Sequence, residues 1–216
     1  MKKTTALLCV IAISACSSVN YIQESFKADD FDFDKLKNSE IKFAGTEKIY
    51  LKEFNKTFSD EYSDTNKLND KLYDLFSREF KIQIPGIKLS RLESEVPQVL
   101  QGNLSFKNYN QALLDNFFSS LKSDYLIFIS SIEISNAYDN SQYFNAATNT
   151  MSGSSLEDCI ISMEVECWDV VNQKRLLRFK GIGKDTVILF SYLSVLNIAM
   201  QNAVVHSVEY IKDKVI

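Results

Sequence analysis

Apolar positions along this chain change period several times, and each change marks an element. Lys48-Ile49-Tyr50-Leu51-Lys52-Glu53-Phe54 is short and rich in β-formers, which predicts a strand. From about Asn66 to Phe80, Leu68, Leu72, Leu75, Phe76 and Glu79 recur at helical steps, and the apolar ones form one stripe. Asp64 or Thr65 would cap that amphipathic helix. Pro85-Gly86 breaks the chain, and Ile87 to Leu92 reads as a short strand. Asn108 to Leu121 sets Leu113, Leu114, Phe117, Phe118 and Leu121 on one helical face. Asp124 to Ser135 contains Tyr125-Leu126-Ile127-Phe128-Ile129, apolar on both sides, as a central strand covered on both faces would be.

Further on, Asp158 to Trp168 alternates. Cys159, Ile161, Met163, Val165 and Cys167 point one way, while Ile160, Ser162, Glu164, Glu166 and Trp168 point the other. A polar turn over 169–174 and a return over 175–184 complete a hairpin. Val187 to Val215 places Leu189, Tyr192, Leu193, Leu196, Met200, Ala203 and Val204 at helical spacing, a long closing helix. The order is β-α-β-α-β-β-β-α, which predicts an α+β sandwich: a mixed sheet with helices packed on it.

Two stretches carry no such period. Residues 17 to about 45, with the acidic run Asp29-Asp30-Phe31-Asp32-Phe33-Asp34, read as a flexible tether. Asp30, Asp32 and Asp34 have the spacing that starts a calcium loop. Loop positions six and twelve, however, hold Lys35 and Ile41 in place of Gly and Glu, so a solvated tether is preferred. Residues 136–155 are dominated by Asn, Ser and Thr, with Tyr138, Tyr143 and Phe144 among them. They read as a loop of about 20 residues, long enough to be functional, with the three aromatics as candidate partner contacts.

The N-terminus changes the picture most. Lys2 and Lys3, the apolar run Ala6 to Ile13 and the small residues Ser14-Ala15 before Cys16 form a secretory leader. The run is shorter than the roughly 20 residues of a membrane-spanning helix. Ile13-Ser14-Ala15-Cys16 resembles the bacterial lipobox. That resemblance implies cleavage between Ala15 and Cys16, acylation of Cys16, and, with Ser17 next, sorting to the outer membrane. The expected organisation is a leader over 1–15, a tether over 16–45 and one α/β domain over 46–216.

Composition then narrows the chemistry. The chain has 216 residues, 45% hydrophobic and 24% charged, with a formal net charge of −4. That is ample for a core and lacks the basic excess of a nucleic-acid binder, so no nucleic-acid partner is expected. Of the four Cys, Cys9 leaves with the leader and Cys16 takes lipid. Cys159 and Cys167, eight residues apart on one strand, would sit roughly 26 Å apart at about 3.3 Å per residue, too far to bridge. A disulfide would require them not to share a strand. His206 is the one His, on the closing helix, and no Gly-x-Ser-x-Gly elbow accompanies it, so a structural role is preferred to a triad. Gly181-Ile182-Gly183 lacks the third Gly and the Lys-Ser/Thr of nucleotide loops, and reads as a strand end or bulge. Glu164 and Glu166 would suit acid–base work on a glycan, but such pairs are routine on a solvent-facing strand. No catalytic set, metal site, disulfide or cofactor is expected.

The passage Cys167-Trp168-Asp169-Val170-Val171-Asn172-Gln173-Lys174-Arg175-Leu176, with the element order over residues 47–214, resembles the envelope lipoproteins of the TolB amino-terminal fold. That group includes a curli-export lipoprotein and a penicillin-binding-protein activator. The resemblance implies a non-enzymatic domain that binds partners or assembles. The expectation is a lipid-anchored binding or scaffold module on the periplasmic face of the outer membrane, with an envelope protein as partner. The alternatives are an oligomeric subunit of an export or channel complex and, remotely, a glycan enzyme. A pore-forming relative inserts the segment corresponding to 136–155, but here that segment lacks the alternating apolar face of a membrane strand.

Overall fold

The computed structural model describes residues 21–29, 36, 38–52, 64–100, 111–145, 150–187 and 192–213; over 138–145 and 150–156 the description is of the backbone. Its centre is a mixed seven-stranded sheet. In chain order the strands are β1 (Ile22–Lys27), β2 (Glu40–Ala44), β3 (Ile49–Lys52), β4 (Lys88–Arg91), β5 (Tyr125–Asn145), β6 (Thr150–Asp169) and β7 (Lys174–Thr186). The helices are α1 (Thr65–Gln83), α2 (Gln111–Ser120) and α3 (Tyr192–Asp213). The sheet order is β1-β7-β6-β5-β2-β4, with β3 also paired to β5. β2 runs parallel to β4 and β5, whereas β5, β6, β7 and β1 form an antiparallel run.

Helices cover the sheet on both faces. On one, α1 presents Leu68, Leu72, Phe76 and Phe80, and α3 presents Leu196, Ala199, Met200, Ala203 and Val204. These meet Ile127, Ile129, Ile132 and Ile134 of β5 and Cys159, Ile161, Met163, Val165 and Cys167 of β6. Each large side chain buried there contributes about 1.5–3 kcal/mol. The opposite face has a smaller core in which Leu114 and Phe118 of α2 pack with Leu126, Phe128, Trp168 and Val170. β5 is therefore apolar on both sides at Tyr125–Ile129 because it is covered on both sides, as its sequence predicts. Asp64 caps α1, its carboxylate accepting from the Asn66 N–H at 3.0 Å.

The structure corrects the tether at two places. β1 and β2 both lie within 16–45, and Leu36, Ile41 and Phe43 are core residues. β2 is an inner strand between β4 and β5. The Asp30–Asp34 run, Ala15 and Cys16 lie outside the described residues.

Candidate functional site

The stretch over 136–155, expected as a loop, is instead the outer part of a β-hairpin. β5 and β6 pair in unbroken antiparallel register from Ser131↔Glu164 to Asn145↔Thr150. β3 flanks β5 only as far as Ser135, and β7 flanks β6 only from Asp158 inward. From Asp139↔Leu156 to Asn145↔Thr150 the two strands are paired, among the described residues, to each other alone. At about 3.4 Å per residue this two-stranded arm is roughly 20 Å long. Ladder bonds between backbones need no apolar side chains, so Asn and Ser can occupy an extended ribbon without giving a strand signal. The register sets Tyr138 opposite Glu157, Tyr143 opposite Ser152 and Phe144 opposite Met151. Tyr143 and Phe144, being adjacent, belong to opposite faces near the tip, while Tyr138 is at the base. These three positions are thus spread along the length of the arm.

A polar clamp fixes the base of the arm. The Val187 N–H donates to the Glu157 carbonyl at 2.7 Å, and the Tyr192 hydroxyl donates to Glu157 Oε2 at 3.2 Å. The Asn136 amide donates to the other Glu157 oxygen. Beside it, Asp158 Oδ1 accepts from the Thr186 hydroxyl at 2.6 Å and Oδ2 pairs with Lys184 Nζ at 2.5 Å. Sequence reasoning missed Glu157 and Asp158; their signal was two adjacent acids just before the alternating strand.

Glu164 and Glu166, the candidate carboxylate pair, have different surroundings. Glu166 is fully buried, in a cross-strand row of Phe128, Glu166, Arg178 and Phe26. Its Oε2 accepts from Trp168 Nε1 at 3.1 Å and lies 3.5 Å from Arg175, and Oε1 lies 3.6 Å from Arg178 Nε. Burial raises the pKa of this carboxyl above 4.5, against the opposing pull of the Trp168 N–H and the two arginines. Arg175 in turn lies over the Phe26 and Trp168 rings at 5.0 and 5.8 Å. Glu164 pairs with Arg178 at 2.8 Å and is half-exposed. The strand face expected to meet solvent is covered here by α2 and the arginines, and no open acid–base pair results.

His206 sits on α3 with its Nδ1–H donating to the Ile182 carbonyl at 2.8 Å and its ring stacked on Tyr21 at 4.3 Å, a structural arrangement. Gly181 and Gly183 lie within β7, against α3, and mark neither a strand end nor a bulge. Cys159 and Cys167 are free thiols on the β6 face that carries Ile161, Met163 and Val165; burial pushes each up to about 12. A cleft of about 250 Å³ at the ends of β2 and β4 is lined by Gly45, Glu47, Lys48, Glu93, Glu95 and Gln98. Among the described residues no three His, Cys, Asp or Glu side chains are grouped to hold a metal, and no helix is long and apolar enough to cross a membrane.

No family model matches this chain, and no curated protein does. Three solved structures are similar to it, each at low sequence identity. A neuraminyllactose-binding hemagglutinin homolog from Helicobacter pylori is 10% identical, covers 90% of each chain and has a TM-score of 0.38. The hypothetical protein CT253 from Chlamydia trachomatis is 11% identical over 80% of this chain and 97% of its own, with a TM-score of 0.41. The lipoprotein GNA1162 from Neisseria meningitidis is 12% identical over 81% and 99%, with a TM-score of 0.32. At these scores the likenesses carry no conclusion about activity or partner.

Proposed function

We propose that this chain is a lipid-anchored envelope protein that serves as a binding or scaffold module and meets its protein partner through the β5–β6 arm. The observation that carries the reading is the arm itself. A two-stranded ribbon in water is marginally stable, so one that extends roughly 20 Å past its sheet gains by laying its strands or side chains against another molecule. Tyr138, Tyr143 and Phe144 supply contact area along it, and the Asn and Ser residues supply adaptable hydrogen bonds. The leader and lipobox support an anchor on Cys16, and Ser17 supports the outer membrane, periplasmic face. The likeness of the 167–176 turn to the TolB amino-terminal group supports partner binding without catalysis. The test replaces Ser141 to Ser154 by a two-residue Asn-Gly turn and places a photocrosslinking residue at Tyr143 in the parent. Crosslinks to one defined envelope protein, lost as co-purification in the shortened variant, are the expected result. Unchanged co-purifying partners in a folded, shortened variant would remove the arm from the reading.

A second reading, an oligomeric subunit, rests on β3. Among the described residues its only strand partner is β5, and Tyr50 and Leu51 on it are exposed. Assembly through that edge predicts a discrete oligomer in mild detergent that Leu51→Lys dissociates. A monomer by light scattering at high concentration sinks it.

A further inference from the structure

The outer edge of the β5 half of the arm is a row of backbone groups whose direction the ladder fixes. The Ile132 N–H donates to the Lys48 carbonyl at 2.9 Å, so residue 132 turns its backbone groups toward the β3 side. Backbone groups alternate sides along a strand, and the β5–β6 register is unbroken from Ser131 to Asn145. The same parity therefore turns Ile134, Asn136, Tyr138, Asn140, Gln142 and Phe144 to that side. The other strand agrees: the Glu157 carbonyl, opposite Tyr138, points outward and accepts from the Val187 N–H. β3 follows this row only as far as Ser135. Beyond it, among the described residues, no strand pairs with the outward N–H and C=O groups of Tyr138, Asn140, Gln142 and Phe144.

A long unpaired edge invites strand addition, and sheets ordinarily protect theirs with bulges, charges or short strands. The two terminal strands of this sheet do so. β1 is bulged between Glu24 and Phe26, and β4 is four residues long with Lys88 and Arg91 at its ends. The arm edge of β5 has none of these devices. Residues 136–145 contain no Pro, Lys or Arg and a single charge, Asp139, and no bulge interrupts their register. The β6 edge is the poorer template, because Val187 occupies its base and Gly153 weakens its middle. We infer that the β5 edge from Tyr138 to Phe144 is a docking site for an extended strand of the partner, paired main chain to main chain. This rests on the partner-binding reading of the arm and deepens it by naming the edge and the mode. A sheet standing clear of a body needs an apolar face, and the Asn, Ser and Thr residues of 136–155 give the arm little of one. The incoming strand therefore carries β-branched or aromatic residues of its own. The arm of a second copy, equally polar, does not supply them.

The experiment places p-benzoylphenylalanine at Tyr143 of the full-length protein and irradiates intact cells. Proline at an outward position removes that N–H without touching a bond to β6, and an edge strand tolerates it there. Asn140→Pro and Gln142→Pro are each expected to lower the crosslink to the partner at least tenfold. Asn140→Ala and Gln142→Ala keep the N–H and should change it less than twofold. Unchanged amide exchange at Asp139, Ser141 and Tyr143 shows that a proline variant keeps the hairpin. A measurement on the parent alone, in mild detergent, needs no variant: the amides of Tyr138, Asn140, Gln142 and Phe144 should exchange at least tenfold faster than those of Asp139, Ser141 and Tyr143. Equal protection along 138–144 overturns the open edge. A crosslink that survives proline in an intact hairpin, or that falls as far with alanine, overturns main-chain pairing alone. A crosslinked species with the mass of two copies of this chain overturns the heterologous strand. No crosslink from the parent removes the arm from partner binding, and this inference with it.

Discussion

A Cβ atom built on Gly183 would lie 1.9 Å from the carbonyl oxygen of Ala199, because α3 crosses β7 backbone against backbone. Gly181, two residues earlier on the same face, would meet Ser207 Oγ at 2.0 Å. Ala199, Ala203 and Ser207 form the matching small-residue line on the helix, and all three are fully buried. This contact holds the closing helix on the sheet, and through Tyr192 and Glu157 it connects to the base of the arm.

The two glycines should respond differently to substitution. At Gly183 the obstructing atoms are backbone, so Gly183→Ala forces the helix away and should cost about 3 kcal/mol, read from the urea midpoint. At Gly181 the nearest atom is a side-chain hydroxyl. Gly181→Ala should be milder, and adding Ser207→Ala should recover about 1 kcal/mol in a double-mutant cycle. Equal costs at the two sites, with no coupling, would contradict this packing.

Cys159 and Cys167 should be inert in the folded chain. Both are fully buried and both thiols are pushed up to about 12, so at pH 8 almost no thiolate exists. Titration with a disulfide reagent should show neither reacting natively and both reacting in denaturant. A fast native thiol would mean that β6 opens or that its strand face is wrong.

Much of this fold was legible because most core elements repeat at one clear period. Leu68, Leu72 and Phe76 announce α1, and Tyr125 to Ile129 announces a doubly covered strand. The misses have physical reasons. β1 is a largely exposed edge strand, so Ile22 to Lys27 shows no apolar alternation. β2 does alternate, with Ile41 and Phe43 buried, but five residues beside an acidic run are easily absorbed into a tether. The arm is held by backbone pairing, and its Asn, Ser and Gly residues are ones that strands ordinarily avoid. Glu164 and Glu166 look alike in sequence; only Arg175, Arg178 and the unforeseen Phe26 of β1 decide that one is buried.

Shortening the arm should leave the body of the domain intact. Its outer pairs, from Asp139↔Leu156 to Asn145↔Thr150, have no third strand among the described residues, whereas Glu157 and Asp158 anchor the base. Replacing Ser141 to Ser154 by Asn-Gly should shift Tm by less than about 3 °C. The amides of 139–145 should also exchange faster than those of 125–135. A loss of cooperative unfolding would show that the arm folds back on the body and is not free to meet a partner.

Glu166 should make stability depend on pH in a direction opposite to that of an ordinary ion-paired carboxylate. Burial lifts its pKa in the folded chain above 4.5, the value it takes when unfolded and solvated. Below 4.5 the acid is neutral in both states and its full contribution to stability is present. As pH rises through the folded value, the unfolded chain gives up its proton more readily than the folded one, and that contribution is lost. Glu166→Gln stays neutral throughout. The Tm of the variant relative to the parent should therefore increase between pH 4 and pH 7, measured at fixed ionic strength. The arginines pull the other way, so the comparison decides which effect wins. A relative Tm that falls over that range would show that Arg175, Arg178 and the Trp168 N–H outweigh desolvation and hold Glu166 as a stable carboxylate.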